Sequence, residues 1–302
     1  MHIDLWMSLA GLIVGVIVGL TGMGGGALMT PILVILFGVQ PLAAVSSDLV
    51  AAVVMKPVGG GIHFRKGTVH LGLVTWLALG SVPSAFLGSF IISRVHVEHT
   101  IKLLLGYVLL VAAAAMIAKA TLSARRSGGV TGAAAQQVQV KRGATLAVGL
   151  VGGLVVGMTS VGSGSLMIVV LMMIYPTLSM KELVGTDLVQ AVPLVLSAAI
   201  GHAIFGNLQW GITSSLLIGS IPGVIIGASL SARARDAYIR PVLVSVLTLS
   251  ALKLLNVSNG WLLFVAAVSA VLAGVYLIVQ SRTAKPSPAV PADTDLARAP
   301  VV

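Results

Sequence analysis

Two apolar stretches of this chain are each broken by glycine close to the middle. The first reads "GVIVGLTGMGGGALMT" (15–30) and the second "GLVVGMTSVGSGSLMI" (153–168). Gly22, Gly24, Gly25 and Gly26 crowd five positions, with Pro31 beyond them. Each glycine costs about 1 kcal/mol in a helix interior relative to alanine, so the helix breaks there. The solvent makes that break costly. Of 302 residues, 57% are hydrophobic and 9% charged, with mean hydropathy +1.08; soluble domains carry about 25% charged residues. The composition is that of an all-α polytopic membrane protein, in which broken backbone is tolerated only when buried in protein or lining a cavity.

The two stretches belong to a duplication. Gly15, Gly19, Thr21, Gly24 and Gly26 match Gly153, Gly157, Thr159, Gly162 and Gly164. One inserted residue later, Asp48 matches Asp187, His63 matches His202, Pro83 matches Pro222 and Arg94 matches Arg233. In each half a broken stretch (about 5–38 and 144–176) precedes three longer apolar segments. These cover roughly 42–62, 68–93 and 97–120, then 180–202, 208–232 and 236–256, and a last segment at 260–280 has no counterpart. The expected organisation is a first transmembrane repeat over 1–120 and a flexible basic cytoplasmic loop over 121–143. A second repeat plus an extra C-terminal helix follows over 144–280, then a disordered cytoplasmic tail over 281–302.

Charge decides how the broken stretches cross the bilayer. If each is one crooked span, the basic residues divide almost evenly between the two sides. If each is a re-entrant hairpin, 14 collect on one side: Arg65, Lys66, Lys119, Arg125, Arg126, Lys141, Arg142, Lys181, Arg233, Arg235, Arg240, Arg282, Lys285 and Arg298. Only Arg94, Lys102 and Lys253 lie opposite, with Lys56 inside the membrane. The positive-inside rule selects the hairpins. It also explains the net charge of +10 without nucleic acid. The resulting fold is an inverted-topology duplicated repeat, each half a broken-helix hairpin plus three spans, with one extra C-terminal span. The chain then lies in the cell inner (plasma) membrane, N-terminus outside and C-terminus cytoplasmic. "MHIDLWMSLAG" has no basic leader and no small-residue cleavage site, so no cleaved signal peptide is expected.

Hairpin tips meeting near mid-membrane place helix N-termini, with free N–H groups and a positive dipole end, where an anion can bind. The candidate substrate-binding residues are therefore Thr21, Gly24, Gly25 and Gly26 in the first tip and Thr159, Gly162, Ser163, Gly164 and Ser165 in the second. Lys56 lies two turns beyond Asp48. It either pairs with Asp48 or a substrate anion, or snorkels to the surface beside Arg65. Asp48 and Asp187 either carry protons through the membrane or cap the starts of their helices. His63 and His202 are candidates for proton coupling, against the blander reading of hydrogen-bonded histidines at the interface. The Gly11, Gly15, Gly19 spacing reads as close helix packing, and Arg94 and Arg233 as helix-end anchors.

"GLTGMGGGALMTPIL", "HFRKGTVHLGLVTWLALGSVPSAFLGS" and "VGTDLVQA" resemble the TauE/SafE family of sulfite and organosulfonate exporters, over about 5–280. The resemblance implies a proton-coupled permease for small sulfur-containing anions. "VGSGS" stands where the first half has its glycine cluster, and no proline matches Pro31; Ser163 and Ser165 thus offer hydroxyls where the first tip offers backbone.

Other classes fare worse. "GMGGGA" loosely fits a dinucleotide fingerprint but follows a membrane helix rather than a strand. No nucleotide-binding motif points to ATP, no cofactor is expected, and the absence of cysteine excludes disulfides and thiolate metal sites. Ser163 with His202 loosely suggests an intramembrane hydrolase, but His63 has no nucleophile opposite it, so the chain is not read as an enzyme. Carrier and anion channel remain open. The expected partners are a small anion and the lipid bilayer, with a homodimer also open. Alternating access would rock one repeat against the other.

Overall fold

The computed structural model describes residues 4–21, 25–95, 97–126, 139–230 and 236–269. Gly24, Arg233, most of the central loop and the C-terminal tail lie outside them. The first half comprises α1 (Leu5–Thr21), α2 (Gly26–Leu36), α3 (Pro41–Arg65), α4 (Leu71–Ser93) and α5 (Glu98–Arg126). The second comprises α6 (Arg142–Thr159), α7 (Leu166–Ile174), α8 (Met180–Phe205), α9 (Trp210–Leu230) and α10 (Asp236–Leu254), followed by α11 (Asn259–Ser269). Six of these, α3, α4, α5, α6, α8 and α9, are long and apolar enough to cross a membrane. Both breaks fall where glycine put them, between α1 and α2 and between α6 and α7.

Local chemistry sets the helix starts. Pro41 occupies the first turn of α3, where its missing N–H costs nothing. The α8 helix opens with a capping box, Ser179 and Glu182 each satisfying the other's backbone N–H. Neither Asp48 nor Asp187 caps a helix. Each lies buried seven residues inside, so the capping alternative drops out. The α5 helix continues to Arg126, so the segment expected as loop from residue 121 begins as helix.

The helices before the two breaks, α1 and α6, are held by glycine seams. A Cβ on Gly15 would lie 2.6 Å from the Ser220 carbonyl oxygen of α9, and one on Gly11 2.9 Å from that of Leu216. From the other side, Gly219, Gly223 and Gly227 of α9 approach the α1 backbone equally closely. The second seam joins Gly149, Gly153 and Gly157 of α6 to Leu77, Ser81 and Ala85 of α4. The small-residue spacing thus serves helix packing, which in lipid relies on van der Waals contact between closely approaching backbones.

Packing partners exchange under the sequence repeat. The α1–α9 contact corresponds to α6–α4, α2–α10 to α7–α5, and α3–α9 to α8–α4, while α3–α8 and α5–α10 pair with their own counterparts. Polar links cross between the halves at matched places. Thr213 Oγ1 donates to Ser47 Oγ at 3.0 Å, and His70 N donates to Thr186 Oγ1 at 3.0 Å. Arg94 follows α4 and stacks over Phe90, 4.8 Å from the ring centroid.

Candidate functional site

The second tip is built by backbone that turns left-handed three times in five residues. Ser160 ends α6 at φ 60°, and Gly162 and Gly164 follow at φ 127° and 93°. Side chains are strained in that region, so glycine is required at the latter two. The Gly162 carbonyl accepts from Leu166 N at 3.1 Å and closes the first turn of α7. Thr159 is spent on the tip itself, its hydroxyl reaching the Val155 carbonyl at 2.7 Å and receiving Val161 N at 3.2 Å.

The first tip touches the second. A Cβ on Gly26 would overlap the Ser160 backbone, so the side of Gly26 expected to face an anion faces the opposite tip instead. Gly25 has helical angles, φ −59° and ψ −26°, so glycine serves space rather than conformation there. Thr21 bonds back to the Ile17 carbonyl at 2.7 Å. Ser163, Ser165 and Thr21 border a void of about 20 Å³ between the tips and α5 and α10.

Charge gathers where the tips meet. Lys56, only 6% exposed, donates from Nζ to Ser163 Oγ and so points into the protein instead of snorkelling. Asp48 Oδ2 accepts from Thr30 Oγ1 at 3.1 Å, and Ser160 lies beside the same carboxylate. The Lys56 charge acts on both Asp48 and Asp187. One residue of this group is among the basic residues that the charge count places on the cytoplasmic side. Lys119 is 8% exposed, and its Nζ reaches the Gly164 carbonyl at 3.4 Å; its charge acts on Asp187 as well. Its place within the apolar run before Arg125 and Arg126 was the signal that could have set it apart.

The histidines separate. His202 is fully buried, not interfacial, with Nδ1 2.8 Å from Ser46 Oγ and Nε2 2.8 Å from the Gly157 carbonyl. Nε2–H donating to that carbonyl, with Ser46 donating to Nδ1, satisfies a neutral ring. Ser163 and His202 have different partners, so they form no hydrolytic dyad. His63 Nδ1 lies 2.9 Å from Thr68 Oγ1. No described cluster of His, Asp and Glu could hold a metal ion.

A cavity of about 160 Å³ reaches Lys56. It starts at Thr21 and Gly25, passes Lys56, and ends between His63, Lys66 and Val184. Buried charges of both signs in an apolar bundle are costly, and in membranes they mark routes for ions or protons. Six apolar helices long enough to span, with a cavity along α3 that reaches the buried Lys56, are the features of a membrane transporter. The chain belongs to the sulfite exporter TauE/SafE family, whose model matches residues 7–254. It is 39% identical over 252 residues, 82% of this chain and 98% of the relative, to "Probable membrane transporter protein YjnA" of Bacillus subtilis (strain 168). A second relative from that organism, "Probable membrane transporter protein YdhB", is 25% identical over 72% of this chain and 86% of its own length. No solved structure gives a significant match.

Proposed function

We propose that the protein exports small sulfur-containing anions, sulfite or an organosulfonate, across the plasma membrane with protons, by alternating access around the two tips. One observation carries this reading. The cavity leads from the first tip past a buried lysine whose Nζ already donates to the second tip, so an anion reaching Lys56 would be offered groups from both halves. Counterflow tests it. Liposomes holding the purified protein and unlabelled sulfite should accumulate labelled sulfite transiently. Uptake without counterflow would indicate a channel, and no uptake of sulfite or sulfonate would end the substrate reading.

The inverted arrangement is supported by the lengths of the hairpin arms. The return arms α2 and α7 have 11 and 9 residues, a rise of about 14–16 Å, half of a ~30 Å hydrocarbon core. Tips at that depth meet if the hairpins enter from opposite faces. Moving Lys119 into the membrane leaves 13 basic residues facing three, so the asymmetry persists. In this orientation the cavity mouth at His63 and Lys66 opens to the cytoplasm. Single cysteines report on it in this cysteine-free chain. Asn259→Cys and Val97→Cys should label with an impermeant thiol reagent in intact cells, whereas Lys181→Cys should not. Labelling at Lys181→Cys would overturn the orientation.

A further inference from the structure

We propose that Lys119 is the second cation of the anion site, and that the site takes a doubly charged oxyanion together with two protons, one on each aspartate. This rests on the transport reading above and gives it a charge class and a stoichiometry. Lys56 comes from α3 and Lys119 from α5, yet they end on adjacent residues of one tip, at Ser163 Oγ and the Gly164 carbonyl. Two buried lysines therefore flank one turn of left-handed backbone.

The opposing charges match them in number. Asp187 feels both lysines and Asp48 feels Lys56, so the group as a whole carries no net charge when both carboxylates are ionised. Buried ions left without partners are unfavourable, and the aspartates are the lysines' counter-charges. A dianion settling between the lysines replaces them in that role, and both carboxylates are then left unbalanced. Taking up one proton each restores neutrality. Both carboxylates retain a buried oxygen, Asp48 Oδ1 and Asp187 Oδ1, without a hydrogen-bond partner among the described residues. Ser160 Oγ is buried beside Asp48, and its hydroxyl can turn from donating to the charged carboxylate to accepting from the protonated one.

The other titratable groups nearby have different occupations. His202 is held at both ring nitrogens by α3 and α6. His63 is tied to Thr68 and, with Lys66, lines the outer part of the cavity. Gln190, the neutral neighbour of Asp187, also takes a hydrogen bond from Ser81 at 3.1 Å. A monoanion such as a sulfonate balances one lysine only and needs one proton. Lys119 therefore sets the preference for two charges over one.

The test uses purified full-length protein in liposomes with an internal pH dye and a membrane potential set by potassium and valinomycin. The probes are sulfite, at a pH where it is the dianion, and methanesulfonate. For the parent, sulfite uptake should carry two protons per anion and ignore the potential. Asp187→Asn should carry one proton per sulfite and become voltage-driven. Lys119→Met should lower sulfite uptake relative to methanesulfonate about tenfold, the scale of one charged hydrogen bond, and Lys119→Arg should restore it. Voltage-driven uptake by the parent, or an unchanged anion preference in a folded Lys119→Met protein, would overturn the proposal alone. Should Lys119→Met not fold, the proton count of the parent and of Asp187→Asn decides. Uptake that moves no protons would remove the coupling itself, and no uptake of either anion would remove the transport reading.

Discussion

Gly15→Val is expected to lose most of its folded protein, whereas Gly25→Val keeps it and loses transport. The two glycines sit ten residues apart in the same hairpin but face different neighbours. A Cβ at Gly15 meets backbone on α9, with Ser220 O at 2.6 Å, Ser220 Cα at 3.0 Å and Val224 N at 3.1 Å. Backbone cannot rotate away, so the helices must separate along the seam. Overpacking of this kind costs about 3 kcal/mol, a large share of a stability of about 5–15 kcal/mol. At Gly25 the nearest atom is the flexible Met55 Cε at 3.1 Å, and the next are 3.6 Å or farther. The valine fits after a methionine rotation, but it fills the inner end of the cavity near Asp48. Folded yield by size-exclusion chromatography and sulfite uptake in liposomes separate the two outcomes. Parental uptake by Gly25→Val would move the substrate path away from the first tip.

Lys56→Met should abolish transport, by about 100-fold or more, in protein that still inserts. The substitution keeps the length of the side chain and removes the charge that acts on both buried aspartates, together with the hydrogen bond to Ser163. Removing one member of a buried charge group costs about 3–5 kcal/mol, in part because the carboxylates then take protons permanently. Uptake should therefore fail even at saturating anion, since the affinity and the proton cycle are lost together. A second change, Asp187→Asn, should recover some of the lost thermal stability without recovering transport. Parental transport by Lys56→Met would show that the lysine is structural.

The breaks, the helices and the repeat were legible because they depend on local chemistry. Glycine clusters interrupt helices wherever they occur, and apolar length sets which segments can span. The site was legible only in part. Asp48, Asp187 and Lys56 stand out as charges inside apolar runs. Lys119 has the same property, but the basic residues that follow it group it with the cytoplasmic charges. What Gly26 faces could not be read, because its neighbour Ser160 belongs to the other half of the chain. His202 and His63 match in sequence yet differ in surroundings. One is locked between helices and the other borders a cavity, a difference made by partners some 150 residues away in the case of Ser46.

The glycine seams join the first helix of each repeat to the other half. The α1 helix of the first repeat lies on α9 of the second, and α6 of the second lies on α4 of the first. Alone, either repeat would leave the glycine face of its first helix and the receiving face of its fourth helix uncovered. Any rigid body in the proposed transport cycle is for the same reason a composite, α1 with α9 or α6 with α4, rather than one repeat by itself.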